Sequence, residues 1–362
     1  MTGMRSRTDH QSRLDWWRRQ IQRQPKTNLT IRSSCSALAS ARRLGYNGTT
    51  DTRGRVRPTM PSTQHPAPLY RYILAWALMV GGLAGFWCCR PWLGTRTFNI
   101  GQVLVLIVSW KAASLLCLPP EAWARFTLLR FLAYCAWLGM QPTQFLKGQQ
   151  TTPGAPVPTV RGFLLNVATG ASLVWLVPRL LPAATPIPVR FWIGLVGISF
   201  LGLIARFDFY ALIFRAMGFA VEKLWDCPIA ATSLGDFWGR RWNRVVSGVL
   251  REVIFYPVAR RAGARAALLA VFLYSGFYHE FVSFMARDGY GGPALYFLLQ
   301  YLGVAAENTR PARRLLRGQP WLGRAWTAAV VILPVGLFLR PALVNGYLVP
   351  MLVQAGVPGL ER

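Results

Sequence analysis

From Tyr70 onward the chain repeats one pattern: apolar stretches long enough to cross a hydrocarbon core of about 30 Å, separated by clusters of Pro, Gly and Arg. Such stretches fall near residues 70–89, 100–118, 124–140, 162–181, 191–220, 266–286, 293–308 and 325–355. With 53% hydrophobic and only 15% charged residues in 362, the chain has too little polar surface for a soluble protein of this size. The fold expected is an all-α integral membrane protein, a multi-pass bundle of about eight transmembrane helices (seven to ten). Two stretches are ambiguous. The segment 191–220 is long for one tilted helix and carries Arg206 and Asp208 near its middle. The last is interrupted at Arg340-Pro341 and reads as one span plus a re-entrant piece.

Residues 1–68 differ in kind from the membrane body at 69–362. They are rich in Arg, Ser, Thr, Gln and Pro, carry a net charge near +10 and lack a sustained apolar run, so they read as a disordered basic arm. No compact apolar core with a small-residue cleavage site marks a secretory signal, and Met60 stands as an alternative start. Over the whole chain 41 Lys+Arg face 13 Asp+Glu. Most of the basic residues lie between apolar spans, which favours anionic lipid headgroups or a polyanionic ligand over nucleic acid. The six cysteines (35, 88, 89, 117, 135 and 227) show no paired spacing and read as reduced packing residues.

Basic residues near span ends give the orientation. Seven arginines between Arg240 and Arg265 and five between Arg310 and Arg324 flank two spans, so both loops are expected on the cytosolic side, with Arg287–Gly292 outside. The arm also reads as cytosolic, yet five spans then precede Arg240, which is the wrong parity. One crossing in the first half is miscounted, and 191–220 is the first suspect. The location expected is an integral, multi-pass one, in a bacterial inner membrane.

The chemistry concentrates in two places. His10 and His65 lie in the arm, so His279, in "SGFYHE", is the only imidazole of the membrane body. Imidazole is the side chain best suited to move protons near neutral pH. Counting from Arg265 it lies about 20 Å along its helix, where a polar group is costly unless it faces a protein-lined or wet cavity. Phe272, Ser275, Gly276 and His279 share a helix face, with small residues leaving room beside the ring. Glu280 projects about 100° away, so it is expected to bond elsewhere, with an arginine of 240–251 as the first candidate donor. Both a structural and a catalytic role for it stay open.

The second place is "SLGDFWGRRWNRVV", Ser233 to Val246. Val246, Val249, Leu250, Val253 and Ile254 form an apolar helical stripe opposite Arg244, Ser247, Arg251 and Glu252, as in an interfacial amphipathic helix. Interfacial anchoring explains Trp238, Trp242 and the arginines. It does not explain Asp236 and Asn243. An amide can donate to a carbonyl oxygen while its own carbonyl orients a neighbour, and arginines can hold phosphates.

Taken in order, "SLGDFWGRRWN", "LREVIFYPVARR" and "FLYSGFYHE" resemble the wax-synthase-like branch of the membrane-bound O-acyltransferase superfamily. The likeness is firm over 225–310, general over the remaining spans and absent from 1–68. It implies a many-helix enzyme that moves a fatty acyl group from acyl-CoA to the hydroxyl of an apolar alcohol. By motif position His279 and Asn243 would be catalytic, with Glu280, Ser275 and Asp236 in support. Trp238 and Trp242 would line the acyl-donor tunnel, and Arg240, Arg241 and Arg244 would serve acyl-CoA binding. No metal is expected, and no cofactor beyond acyl-CoA as co-substrate; membrane lipids are the other partners.

The residues suit that chemistry. His279 would take the alcohol proton as the oxygen attacks the thioester, and Asn243 would stabilise the oxyanion or hold the thioester. A covalent acyl-cysteine would need a thiolate beside a base, and Cys227 has no histidine near in sequence. Two readings compete with an enzyme. One is a transporter or lipid-handling protein that uses His279 and Glu280 as a proton relay. The other is an interaction protein organised by the basic arm.

Overall fold

A computed structural model describes residues 48–50, 56–58, 67–151, 155–283 and 291–360. Most of the arm, with His10, Cys35, Met60 and His65, lies outside the described residues. Within it β1 (Gly48–Thr50) pairs antiparallel with β2 (Val56–Pro58). The remaining regular structure is helical: α1 (Leu69–Trp87), α2 (Thr95–Leu116), α3 (Leu128–Ala136), α4 (Val160–Leu180), α5 (Ile187–Ala216), α6 (Arg244–Leu250), α7 (Tyr256–Ser283), α8 (Gly292–Glu307), α9 (Arg310–Arg317), α10 (Pro320–Phe338) and α11 (Val349–Gln354). Short turns of helix join several of these.

Among the described residues α1, α4, α5 and α10 are long and apolar enough to cross a membrane, while the apolar part of α2, Ile100–Leu116, is shorter. The stretch 124–140 does not form the expected span. Its helix α3 has 9 residues, about 13 Å, too short to cross. Polar atoms explain why an apolar run stops there. Lys111 of α2 donates its ammonium to the carbonyls of Tyr134 (2.6 Å) and Gly139 (3.1 Å), and Arg130 donates to those of Phe145 and Leu146. The carbonyls beyond α3 are thereby satisfied without further helix. Tyr134, Trp137 and Phe145 are fully buried in the main core beside α1, α2 and α6.

The suspect stretch 191–220 is instead one continuous helix. At 30 residues, α5 is about 45 Å long and outruns the hydrocarbon core. Asp208, 1% exposed, takes an ion pair from Lys223 at 3.1 Å and a hydrogen bond from Asn166 at 3.0 Å. Removing 124–140 rather than 191–220 leaves four crossings before Arg240, α2 included, and restores the parity. α5 packs tightly on α4 at Gly197, where a Cβ would stand 2.9 Å from the backbone nitrogen of Val174.

The stripe that begins on α6 and continues to Ile254 faces protein rather than lipid. Val249, Leu250, Val253 and Ile254 are buried in the main core, while Ser247 and Arg251 face internal space. In the helix α9, "RPARRLLR", Arg310, Arg314 and Leu315 are exposed. Beyond Arg340-Pro341, Leu352 of α11 packs with Val357 and Leu360 against Val174 and Phe191. The five described cysteines are free thiols; Cys88, Cys135 and Cys227 are exposed and so do not act as packing residues.

Candidate functional site

A cavity of about 480 Å³ lies between α2, α5, α6, α7 and α8 and the 234–243 segment. Five of the residues singled out in the sequence line it: His279, Asn243, Ser275, Trp238 and Trp242. Asp236, Glu280, Arg240, Arg241 and Arg244 do not.

His279 stands on α7 inside an aromatic box. Its ring is stacked on Phe297 (centroids 5.0 Å apart, planes 11° apart) and meets Phe338 and Tyr278 edge-on at 4.8 and 4.7 Å. Its Nδ1 is buried without a hydrogen-bond partner among the described residues. Packing, rather than a carboxylate or carbonyl, orients the imidazole. Ser275 lines the cavity one turn earlier, with its hydroxyl donating to the Val271 carbonyl at 2.9 Å. Gly276 does not leave substrate space as expected. A Cβ there would stand 2.9 Å from Ala294 Cα, so this glycine lets α8 approach α7.

Asn243 occupies the left-handed region (φ 41°, ψ 63°), which asparagine tolerates better than most residues. Its Oδ1 accepts from the Val246 amide at 3.4 Å and so caps α6. The cap occupies the side-chain oxygen and leaves the NH₂ as the group able to donate. The chain enters this turn through a tight aromatic cluster. Trp242 stacks on Phe237 at 5.4 Å and meets Trp225 edge-on at 4.5 Å.

The arginines are already committed to carboxylates. Asp236 holds Arg240 (2.9 Å) and Arg241 (2.7 Å), and Glu222 holds Arg244 (2.8 Å). The hydrogen bond to Asp236 raises the Arg241 pKa further, so its charge is fixed at any working pH. Asp236 is thus the anchor of an arginine pair, and Arg240, with 49% of its side chain exposed, is the most open of the three. Arg251 and Ser247, which sequence reasoning did not single out for binding, line both the main cavity and a small polar pocket with Gln141, Gln144, Glu222, Lys223 and Arg244. Arg251, just beyond α6, also donates to the Gly239 carbonyl at 2.7 Å, tying the end of that helix to the arginine turn.

Glu280 corrects an expectation. Its partner is not an arginine of 240–251 but the start of the next helix: Oε2 accepts from the Gly291 amide at 3.0 Å and Oε1 from the Ala294 amide at 2.8 Å. A carboxylate at a helix N-terminus satisfies orphan donors and complements the helix dipole. Glu280→Ala is therefore expected to cost about 1–2 kcal/mol, read as a lower melting temperature in detergent. Glu280→Gln, which keeps an acceptor oxygen, should lose less than about tenfold in turnover, against the 10²–10⁴-fold typical for a missing proton-transfer group. A loss as large as that from removing the histidine would make Glu280 catalytic.

Residues 221–300, which contain both motifs, match the membrane bound O-acyl transferase family. Over 150 residues the chain is 33% identical to the probable long-chain-alcohol O-fatty-acyltransferase 3 of Arabidopsis thaliana, covering 38% of this chain and 44% of that protein. Over 158 residues it is 32% identical to the long-chain-alcohol O-fatty-acyltransferase of Simmondsia chinensis, covering 41% and 43%. A 78-residue stretch is 37% identical to acyl-CoA–sterol O-acyltransferase 1 of Arabidopsis thaliana, covering 19% and 23%. The chain spans less than half the length of these curated relatives. All three are plant proteins, which lends no support to a bacterial inner membrane.

Proposed function

We propose that the chain, whose residues 221–300 match the membrane bound O-acyl transferase family, is a wax-synthase-like member of it and transfers a fatty acyl group from acyl-CoA to the hydroxyl of an apolar alcohol. The observation that carries this reading is that His279 and Asn243, 36 positions apart, line one cavity whose walls are otherwise mostly aliphatic and aromatic. A pocket of this kind, apolar with a few convergent polar groups, suits a lipid substrate with one reactive polar atom.

In this reading Nε2 of His279 takes the proton of the alcohol as its oxygen attacks the thioester carbonyl carbon. The Asn243 NH₂ donates to the oxyanion that forms. When the tetrahedral intermediate collapses, the carbon–sulfur bond breaks and the imidazolium returns the proton to the departing thiolate, so atoms and charge balance. Positioning both substrates in one enclosed site supplies a further part of the rate. Lys223 and Arg244, in the polar pocket with Arg251, are paired with Asp208 and Glu222, so in this reading the half-exposed Arg240, itself shared with Asp236, is the arginine most open to CoA phosphates in water.

Purified protein in lipid, given acyl-CoAs and long-chain alcohols of several lengths, is expected to release free CoA and form ester in equal amounts. A sterol acceptor belongs in the same panel because one relative is named for that substrate. If neither ester nor free CoA forms with any pair, the acyl-transfer reading fails and a lipid-handling role with a His279 proton relay takes its place.

A further inference from the structure

The helix α8 contributes no residue to either motif, yet it touches both through one face. Ala294, Phe297, Gln300, Val304 and Glu307 recur at spacings of three and four, the stripe of a single helix side. At its start the Ala294 amide is held by Glu280, the neighbour of His279. One turn on, Phe297 stacks on the imidazole. Another turn on, Gln300 reaches Trp238. At its end the Glu307 carboxylate accepts from the amides of Leu234 and Gly235, both at 2.9 Å, where the first motif begins.

Gln300 is the least expected of these. It has no solvent exposure, and a buried amide is costly unless both its ends are bonded. Both are: Oε1 accepts from the Trp238 indole at 3.2 Å, and Nε2 donates to the Val330 carbonyl of α10 at 2.8 Å. The indole it holds lies against Phe297 (5.7 Å) and meets Phe272 edge-on (6.2 Å). Phe297 is thus flanked by the imidazole and the indole, and one stretch of cavity wall carries Trp238, Phe297 and His279 in sequence.

We infer that α8 sets the register between the two motifs and that Gln300 is a positioning residue which fixes the Trp238 indole as a chain-measuring wall of the cavity. Gln300 does not itself line the cavity; it acts through the indole. The inference rests on the acyl-transfer reading, because it concerns how the same site measures its substrates. Gln300→Met keeps length and bulk but removes both polar ends, leaving the indole N–H without its acceptor and free to shift with its ring.

The test compares Gln300→Met, Trp238→Phe and the double variant with the unaltered protein in two series: acyl-CoAs of graded length with one alcohol, and alcohols of graded length with one acyl-CoA. In at least one series Gln300→Met should change the ratio of kcat/KM between long and short chains by about tenfold, as a pocket altered by a methylene or so does. The double variant should show the same long-to-short ratio as Trp238→Phe alone, since the amide reaches the cavity through the indole, whatever the lost Val330 bond costs in stability. A loss that is even across both series, or effects that simply add, would reduce Gln300 to packing and overturn the inference. Should Gln300→Met not fold, Trp238→Phe still decides: an unchanged length profile there overturns it. An unaltered protein that forms no ester overturns the acyl-transfer reading, and this inference with it.

Discussion

Replacing His279 with alanine is expected to lower turnover by about 10²–10⁴-fold while leaving the protein folded and able to bind acyl-CoA. The size follows from the site. No second imidazole lies in the membrane body, and among the described cavity residues no other group is as well matched to proton transfer near neutral pH. The folding expectation follows from the box of Phe297, Phe338 and Tyr278, which loses ring contacts but no hydrogen bond among the described residues. Acyl-CoA binding, measured by direct titration beside turnover, separates the chemical role from a structural one. Turnover within tenfold of the unaltered protein would remove the histidine from the reaction.

Asn243→Asp should be the second most damaging change, and it separates two tasks that one side chain performs. Aspartate also tolerates the left-handed backbone, and its carboxylate can still accept from the Val246 amide, so the cap on α6 survives. What it lacks is the NH₂ donor. Losing a well-aimed oxyanion donor costs about 10²–10³-fold in kcat, and a negative charge set against the developing oxyanion can only add to that. Asn243→Gly should give the complementary result, with the turn kept and both side-chain functions gone. Comparable stability with very different turnover for Asn243→Asp is the expected outcome. Near-normal kcat for that variant would confine Asn243 to capping.

The sequence was most informative where a residue was out of place. A lone imidazole in an apolar run, and an aspartate and asparagine beside tryptophans, conflict with a lipid setting, and His279, Asn243, Ser275, Trp238 and Trp242 do meet at one cavity. Partnerships were less legible. Charge counting left Arg240, Arg241 and Arg244 available for phosphates, but Asp236 and Glu222 pair with them, and such pairs depend on a turn that hydropathy does not register. The length of α3 was hidden for a similar reason, because Lys111 reaches it from 23 positions earlier. Gln300 and Glu307 did carry a signal, two polar residues a heptad apart in an apolar helix, but their targets are more than 60 positions away.

The Glu280 carboxylate grips the Gly291 and Ala294 amides at the beginning of α8, and Gly276 lets the two backbones interlock beside it. A slide of one helix past the other by a single turn, about 5.4 Å, would strand that charge and collide at the glycine. The pair must therefore travel as a rigid unit, carrying the imidazole with it. Movement between α2 and α5 is not tied down in this way: Val103 of α2 and Leu203 of α5 border both the chamber and the outer surface.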